Sequence, residues 1–422
     1  MIRSSKVSIN QANTRKMDVL SMFIDEYRMA VEYFINEYWN MKFANAYTLN
    51  LGKLKPMKFY PSSIADPLCN LSGRSLKSAK QQALGMINAA TTKRYKRAFV
   101  LKKHQVENKK VSSLKRVLDK TPLVKPSVPK DFKAEINSIN CDFESSSNSF
   151  DNWFVLKSLF NKETKQELGF NSVSIPLKSH THLKKLAEKG KRLNSFLVSK
   201  DFISIRFEIE PKKNSGKETI AIDQGITDLL SISTSSGKNF TSTKCIHGHD
   251  MASIMRKMSR KKKGSKAFKR AKDHQTNFIN WSVNQLNLSN TKELRLEEIH
   301  DMRRGERTNR FMTHFAYPAI ERKLQARCEE NGVRFVLQSN EYRSQRCSTC
   351  GFVHKNNRKG KSFICKHCGE IHDADINAAN NHLAELPPID RFAICGLNRT
   401  TGFFWNPGFE GAYSPLNHKQ NK

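Results

Sequence analysis

The chain has 422 residues, with 73 Lys and Arg against 39 Asp and Glu and a net charge of +34. This length exceeds one ordinary domain, so we expect two or three folded units with real cores. Unneutralised positive charge repels itself, which makes nucleic acid the leading partner. The sequence has no apolar run of about 18 residues and no signal-like segment near its N-terminus, so we expect no membrane partner.

The first half of the chain predicts a short strand, KVSI, and then a long amphipathic helix. Asn13 and Thr14 offer a helix cap, and apolar residues recur from Met17 to Tyr38. A second helix starts near Ser75 and runs into KRYKRAFVLKKHQVENKKVSSLKR, which is rich in basic residues. One face of this helix should pack, and the other should either face phosphate or be solvated.

A change of structural class follows the segment TPLVKPSVPK, whose three prolines indicate an extended linker. Short β-like runs occur from about Ile136 to Pro211, and FISIRFEIE alternates apolar with polar residues. We predict a small barrel or sheet there. The segment KKNSGKE is then a flexible joint, and TIAIDQGI starts the last domain near Thr219.

Nine cysteines are distributed in a way that is typical of a reducing compartment with one metal site. Four of them form the motif CxxC-x14-CxxC: Cys347, Cys350, Cys365 and Cys368. Two tight turns at this spacing present four thiolates to one tetrahedral zinc ion, in a closed structural site. The basic loop between the pairs, KNNRKGK, is either a phosphate contact or a solvated loop. The other five cysteines are isolated, and we expect a cytosolic protein.

Acidic residues occur at three places where apolar segments end. Asp223 lies in the strand IAIDQGI, where a buried carboxylate is costly unless it is paired or holds a metal. Glu297 and Glu298 end a second strand and alternate, so only one of them can point toward Asp223. Asp373 and Asp375 stand where a helix rich in Ala and Asn begins, and Asp375 can cap that helix or reach sideways. Three such acids gathered by an RNase H-like fold can hold two divalent cations.

The order AIDQGI, LRLEEI, SQRCSTCG, a second CxxCG and DADINAANN resembles the C-terminal half of the transposon-encoded TnpB proteins and of the miniature type V CRISPR effectors. The resemblance covers about residues 219–385. It implies a RuvC nuclease in which a zinc-binding insertion precedes the third catalytic acid. Carried over by motif, it implies Asp223, Glu297 and Asp375 as catalytic acids that bind two Mg²⁺, while Glu298 and Asp373 fit the motif less well.

The resemblance implies an α+β multidomain fold: a β-barrel wedge with a helical recognition insertion, and then an RNase H-like (RuvC) α/β domain with a zinc-ribbon insertion. The predicted parts are a wedge (1–15 and 136–215), a helical recognition domain (16–135), the nuclease (216–341 and 370–390), a zinc-ribbon insertion that binds target nucleic acid (342–369) and a C-terminal tail (391–422). Implied partners are guide RNA, double-stranded target DNA and the displaced single strand, in a prokaryotic cytosol or nucleoid or as a phage-encoded protein.

The predicted function is that of an RNA-guided DNA endonuclease, a metal-dependent endodeoxyribonuclease of RuvC type. Two alternatives stay open: a nuclease-silent RNA-guided DNA-binding regulator, and a transposase-like protein that joins strands. The sequence leaves open whether one copy or two bind a guide RNA, and whether the chain comes from a transposon or a CRISPR locus.

Several features lie outside the motif set. Gln224 stands where the family has an apolar residue, and we expect little effect because strand neighbours point away from the metal. The basic stretch RKMSRKKKGSKAFKRAKDH should follow a nucleic-acid backbone, as should Arg303, Arg304 and Arg307. The aromatic residues Phe403, Phe404 and Trp405 could stack on bases or tether the tail to the protein surface. The CxHxH cluster of Cys245, His247 and His249 has no fourth ligand nearby in sequence, and we interpret it as incidental.

Overall fold

The computed structural model describes residues 1–39, 66–106, 124–138, 140–145, 150, 152–242, 244–299, 310–387, 389 and 400–407. The chain divides into two compact units, Met1–Glu210 and Pro211–Lys422. Both contain helices and strands, which agrees with the predicted multidomain chain of mixed class. The finer domain boundaries given above stay a prediction. Among the described residues, no helix combines the length and the apolar character needed to cross a membrane.

Over its described residues, the first unit has two long helices, two short helices and two antiparallel sheets. Its helices in the described residues are α1 (Thr14–Tyr38), α2 (Gly73–Val106), α3 (Lys162–Leu168) and α4 (Thr181–Lys189). Its strands are β1 (Ile2–Ser8), β2 (Ala134–Asn137), β3 (Cys141–Ser145), β4 (Asn152–Lys157), β5 (Ser172–Leu177), β6 (Gly190–Val198) and β7 (Phe202–Ile209). The sheets have the orders β1-β7-β6-β2 and β3-β4-β5. Both are open over the described residues, and closure into a barrel stays a prediction.

The sequence patterns of the first unit have a direct structural cause. The side chain of Asn13 accepts a hydrogen bond from the Lys16 backbone N–H at 3.0 Å and so caps α1 as predicted. The alternation in β7 buries Ile203, Ile205 and Phe207 on one face. These strand residues and the apolar face of α1 belong to one hydrophobic core, so burial of apolar surface holds the helices and sheets of this unit together.

The second unit contains the last ten strands of the described chain. Its helices are α5 (Met251–Ser259), α6 (Lys266–Asn284), α7 (Tyr317–Asn331) and α8 (Ala374–Leu383), with one 3₁₀ turn at Met312–His314. Its strands are β8 (Glu218–Gln224), β9 (Leu230–Thr234), β10 (Asn239–Thr241), β11 (Thr291–Glu298), β12 (Arg334–Ser339), β13 (Phe352–Val353), β14 (Arg358–Lys359), β15 (Ser362–Ile364), β16 (Ile371–Asp373) and β17 (Phe403–Phe404).

A five-stranded mixed sheet, with the order β10-β9-β8-β11-β12, forms the centre of the second unit. Strand β8 is antiparallel to β9 and parallel to β11, and β11 is parallel to β12. One face of the sheet contributes Ile220, Ile222 and Leu296 to a hydrophobic core shared with α5, α6 and α7. The helix α8 contacts β8, β9 and β11. Because side chains alternate along a strand, Asp223 and Glu297 point away from that core.

The described part of the C-terminal tail is tethered to the cysteine segment. Strand β17 pairs with β13, and Phe403 and Trp405 are buried. The backbone N–H of Trp405 donates to the Gly351 carbonyl at 3.0 Å, and its indole N–H donates to the Pro387 carbonyl at 3.1 Å. Of the two interpretations of these aromatic residues, the structure therefore favours the tether, because Phe403 and Trp405 have no exposed ring face for a base.

Candidate active site and cysteine cluster

Asp223 and Glu297 lie side by side on the two central parallel strands. The register pairs Ile222 with Leu296, which brings the next residue of each strand to the same level of the sheet. The Gln224 backbone N–H donates to Glu297 Oε1 at 2.8 Å and fixes that carboxylate. Glu297 is therefore the member of the Glu297 and Glu298 pair that lies beside Asp223. Alternation predicted that only one of the two would face Asp223, and the family resemblance implied Glu297.

Asp375 reaches the same place from the start of α8. Asp373 is the N-cap of this helix, and its Oδ1 accepts from the backbone N–H groups of Asp375 and Ile376 at 2.9 and 3.0 Å. The cap is thus provided by Asp373, which leaves the carboxylate of Asp375 free to point sideways. Asp223, Glu297 and Asp375 all line one cleft of about 520 Å³.

The three carboxylates interact electrostatically. Burial raises the pKa of Asp223 well above its ordinary range, and the negative charges of Glu297 and Asp375 raise it further. Burial likewise raises the pKa of Glu297 to about 7, against the opposing effect of the hydrogen bond from Gln224. Like charges held together away from water disfavour ionisation, so the cluster is a place where added positive charge is stabilising.

Two basic side chains from the loop between the cysteine pairs contact the acids. Arg358 Nη2 donates to Asp375 Oδ1 at 2.7 Å, and Lys361 forms ion pairs with Asp375 and Asp228. Both residues belong to KNNRKGK, the loop interpreted from sequence as a phosphate contact or a solvated loop. They line the acid cleft and partly balance its negative charge.

His382 is a member of the site that the sequence analysis missed. It is buried on α8, and one of its ring nitrogens lies within 4.8 Å of carboxylate oxygens of Asp223 and Glu297. Burial, together with the positive charge of Arg343, lowers the pKa of His382 to about 3, so the imidazole is neutral near pH 7. The available signal was its position seven residues after Asp375, which is two helical turns along the same face.

The four cysteines predicted to bind zinc converge. Their sulfur atoms lie within 4.8 Å of one another, with Cys347 Sγ 3.8 Å from Cys368 Sγ and Cys350 Sγ 3.6 Å from Cys365 Sγ. Four thiolates around zinc at about 2.3 Å would have their sulfur atoms about 3.8 Å apart, and the observed spacing fits this geometry.

The turn after the first cysteine pair requires glycine. Gly351 has a φ of +80°, and a Cβ there would lie 1.9 Å from Asn406 Oδ1 in the tethered tail. Its N–H donates to the Cys347 carbonyl at 2.9 Å. A residue with a side chain would therefore be strained in its backbone and would also clash with the tail.

Asparagines of α8 connect the cysteine segment to the acid cluster. Asn377 Oδ1 accepts from the Ser348 N–H at 2.9 Å, and its Nδ2 donates to the Arg346 carbonyl at 2.8 Å. Asn381 Nδ2 donates to the Arg343 and Arg346 carbonyls at 2.9 and 2.7 Å. The helix that supplies Asp375 therefore also fixes the chain entering the first CxxC. Asn377 and Asn381 of DINAANN therefore have a structural role at the first cysteine pair.

Other sequence expectations have mixed outcomes. For Gln224, we expect little effect of its side chain on the site. That side chain's Nε2 lies 3.5 Å from the Glu297 backbone carbonyl, whereas the Gln224 backbone N–H donates to the Glu297 carboxylate. The basic stretch lies on α5, α6 and the turn between them. Arg303, Arg304 and Arg307 lie outside the described residues, as does the isolated Cys395.

Residues 317–382 match a family described as Cas12f1-like, TNB domain. These residues include α7, the four clustered cysteines, Asp375 and His382. The CRISPR-associated endodeoxyribonuclease Cas12f1 of Sulfoacidibacillus thermotolerans is 37% identical over 84 residues, which cover 20% of this chain and 19% of the relative. A Streptomyces pristinaespiralis protein, named provisionally as an RNA-guided DNA endonuclease, is 28% identical over 185 residues, which cover 39% of this chain and 44% of the relative.

The family match and these relatives confirm the predicted resemblance to TnpB proteins and miniature type V CRISPR effectors. The chain spans less than half of the length of either relative. Among solved structures, it is similar to the chain of a Cas12f1-sgRNA-target DNA complex, with a TM-score of 0.46 and 12% identity over 90% of this chain and 98% of that chain.

Proposed function

We propose that the chain is an RNA-guided DNA endonuclease that hydrolyses phosphodiester bonds at a RuvC-type site. The observation that carries the proposal is the convergence of Asp223, Glu297 and Asp375, from two neighbouring strands and a helix, in one cleft. The two relatives named as endonucleases support it. The strand order, with the acids on the central β8, on the adjacent β11 and on a helix packed against the sheet, is the layout expected of an RNase H-like nuclease.

The donor set fits hard divalent cations. Carboxylate oxygens are the protein ligands that Mg²⁺ prefers. Burial, together with the neighbouring carboxylates, raises the pKa of Asp223 and of Glu297, so a bound cation would stabilise their charged forms. Asp223, Glu297 and Asp375 would hold two Mg²⁺ ions, which when bound supply an activated water and charge for the departing oxygen. Arg358 and Lys361, which line the same cleft, would meet the phosphate of an entering strand.

We propose zinc for the Cys347, Cys350, Cys365 and Cys368 cluster, in a closed structural site. The sulfur spacing supports it, and four protein thiolates leave no coordination position for a substrate. Its contribution would be to hold the loop bearing Arg358 and Lys361 against the acids. The guide RNA, the target duplex and the displaced strand are the proposed partners, and base pairing would supply sequence choice to a protein whose net charge is +34.

The test compares two neighbouring glutamates that face opposite sides of β11. The chain is purified with its co-bound RNA and assayed on DNA matched to that RNA, with Mg²⁺. Glu297→Gln removes a proposed metal ligand and should lower cleavage by about 100-fold or more, whereas Glu298→Gln should retain it. Equal cleavage by both variants would contradict the site.

The same assay separates the alternatives. Retardation of matched DNA by the wild-type protein without any cutting would identify a guided binding regulator. Binding to transposon ends that survives RNase treatment would identify a transposase-like protein. Determination of the mass of the protein–RNA complex would show whether one copy or two bind a guide RNA.

A further inference from the structure

A second group of metal-binding side chains lies outside the acid cleft and outside the four-cysteine cluster. Sulfur or ring nitrogen atoms of Cys245, His247 and His274 lie within 4.8 Å of one another. The first two residues stand in the short loop before α5, and His274 comes from α6. From sequence, CxHxH is interpreted as incidental because no fourth ligand lies nearby. In the folded chain, a helix 29 residues away supplies an additional imidazole.

We propose that Cys245, His247 and His274 form a site for a zinc-class transition-metal ion. Cys245 Sγ lies 3.7 Å from His274 Nε2. A tetrahedral zinc with Zn–S near 2.3 Å and Zn–N near 2.05 Å would hold sulfur and nitrogen about 3.6 Å apart. A thiolate with two imidazoles selects borderline ions such as Zn²⁺ or Co²⁺ over Mg²⁺, which requires oxygen ligands.

The loop is shaped to present these ligands. The Cys245 N–H donates to the His249 carbonyl at 2.9 Å, and the Gly248 N–H donates to the Cys245 carbonyl at 2.8 Å. Gly248 has a φ of +71°, which closes the turn without side-chain strain. The turn holds Cys245 and His247 beside α6, with the ring centroids of His247 and His274 6.1 Å apart.

His249 lies beside the proposed site but is not one of its three ligands. Its Nε2 is 2.6 Å from Lys257 Nζ, and its ring centroid lies 5.5 Å from that of His274. The fourth coordination position of the ion is therefore assigned to water.

The site would fasten the loop 245–249 to the helix that bears much of the basic stretch. Asp250 caps α5 directly after this loop and accepts a hydrogen bond from the Ser253 N–H at 2.7 Å. A metal bridge from Cys245 to His274 would add a cross-link between the sheet-side end of the loop and the middle of α6. It would thereby fix the orientation of the exposed lysines on α6.

Metal content of the purified full chain tests the proposal. Elemental analysis after dialysis should show about one zinc or cobalt ion per chain lost in Cys245→Ser and in His274→Ala, relative to wild type. His274→Cys, which retains a ligand, should keep the ion. The matched controls are Asp273→Ala, the preceding exposed residue on α6, and Cys69→Ser in the first unit. Unchanged metal content in Cys245→Ser and His274→Ala would overturn the proposal and leave only a thiol–imidazole hydrogen bond.

A spectroscopic titration tests the wild-type chain without relying on any variant. Co²⁺ is added to the metal-free full chain and the visible absorption spectrum is recorded. Two sets of absorption bands should appear, one from a four-thiolate site and one from a site with a single thiolate and nitrogen ligands. The second set should be missing in Cys245→Ser. A wild-type spectrum fully accounted for by four-thiolate cobalt would overturn the proposal. DNA cleavage does not enter this readout, so failure of the proposed nuclease function would be seen separately.

Discussion

Asp375 is the residue at which the acid cluster and the cysteine segment meet. Its carboxylate lines the cleft with Asp223 and Glu297, while Arg358 and Lys361 reach it from the loop between the cysteine pairs. Asp373 makes this possible by capping α8. One residue of the helix thus couples the position of the cysteine loop to the charge of the acid cluster. We expect movement of that loop to change the local electrostatics of the cleft.

Asn381 should be a major contributor to the stability of the second unit. Its side chain is buried, donates to the Arg343 and Arg346 carbonyls and accepts from Arg346 Nη1 at 2.5 Å. Asn381→Ala would leave buried polar groups without partners and should lower the free energy of unfolding by about 3 kcal/mol. Urea unfolding followed by circular dichroism measures the change. Asn380→Ala, one position earlier and only half-buried, should change it by less than about 0.5 kcal/mol.

His382 should affect the metal requirement of the acid cluster more than the fold. Leu fills a similar volume, but His382→Leu removes the ring nitrogen that lies within 4.8 Å of the Asp223 and Glu297 oxygens. We expect the Mg²⁺ concentration for half-maximal cleavage to rise about 10-fold. A Mg²⁺ titration of DNA cleavage measures this, with the exposed His182→Leu as control. An unchanged titration curve in His382→Leu would show that this imidazole takes no part.

At the scale of elements, α8 and the sheet are held together by several polar contacts. Arg295 on β11 donates to Glu293 at 2.6 Å, to the Leu383 carbonyl at 2.6 Å and to Glu385 at 2.9 Å. The contacts with Leu383 and Glu385 fix the C-terminal end of α8 against the strand that carries Glu297. The N-terminal end of the helix, with Asp375, is fixed by its cap and by the cysteine segment. Contacts within the protein therefore fix both ends of this helix.

The α5 and α6 helices and the turn between them should bind nucleic-acid backbone through exposed lysines. Replacement of Lys262, Lys263 and Lys269 by Gln should reduce the slope of log affinity against log salt by up to about 2.7, because each neutralised phosphate contributes about 0.9. Filter binding of matched DNA over a range of salt concentrations measures the slope. The corresponding Arg variant keeps the charge and should keep the slope. A Gln variant with the wild-type slope would exclude these residues from the interface.

At the scale of the whole molecule, charge is the dominant property. A net charge of +34 is spread over both units, and each unit has a hydrophobic core of its own. Burial of apolar surface therefore accounts for folding, while the basic residues remain available for a polyanion. Such binding is mostly blind to sequence, which fits a protein that would take its target choice from a guide.

Removal of RNA should abolish cleavage by the wild-type chain. We expect the purified protein to carry RNA, and we expect RNase treatment before DNA addition to reduce cutting of matched DNA to background, since base pairing supplies the target choice. Gel analysis of labelled DNA measures this. Addition of the extracted RNA to RNA-free protein should restore the cut. Cutting that persists without RNA would contradict guidance.

The sequence alone determined what depends on local pattern. The spacing of four cysteines predicted that they cluster. Alternation in β11 predicted that only one of Glu297 and Glu298 faces Asp223, and alternation in β7 predicted its buried face. Spacing and periodicity act over a few residues, so they can be read along the chain.

Only the tertiary structure decided which distant residues share a site. In the folded chain, Asp373 caps α8, and His382, Arg358 and Lys361 lie near the acids. His274 lies beside Cys245. These contacts between distant residues depend on how the sheet and its helices pack, and the packing depends on the apolar surface buried over the whole unit. Local sequence patterns do not report this total burial. The proximity of His274 to Cys245 could therefore not be predicted from the sequence.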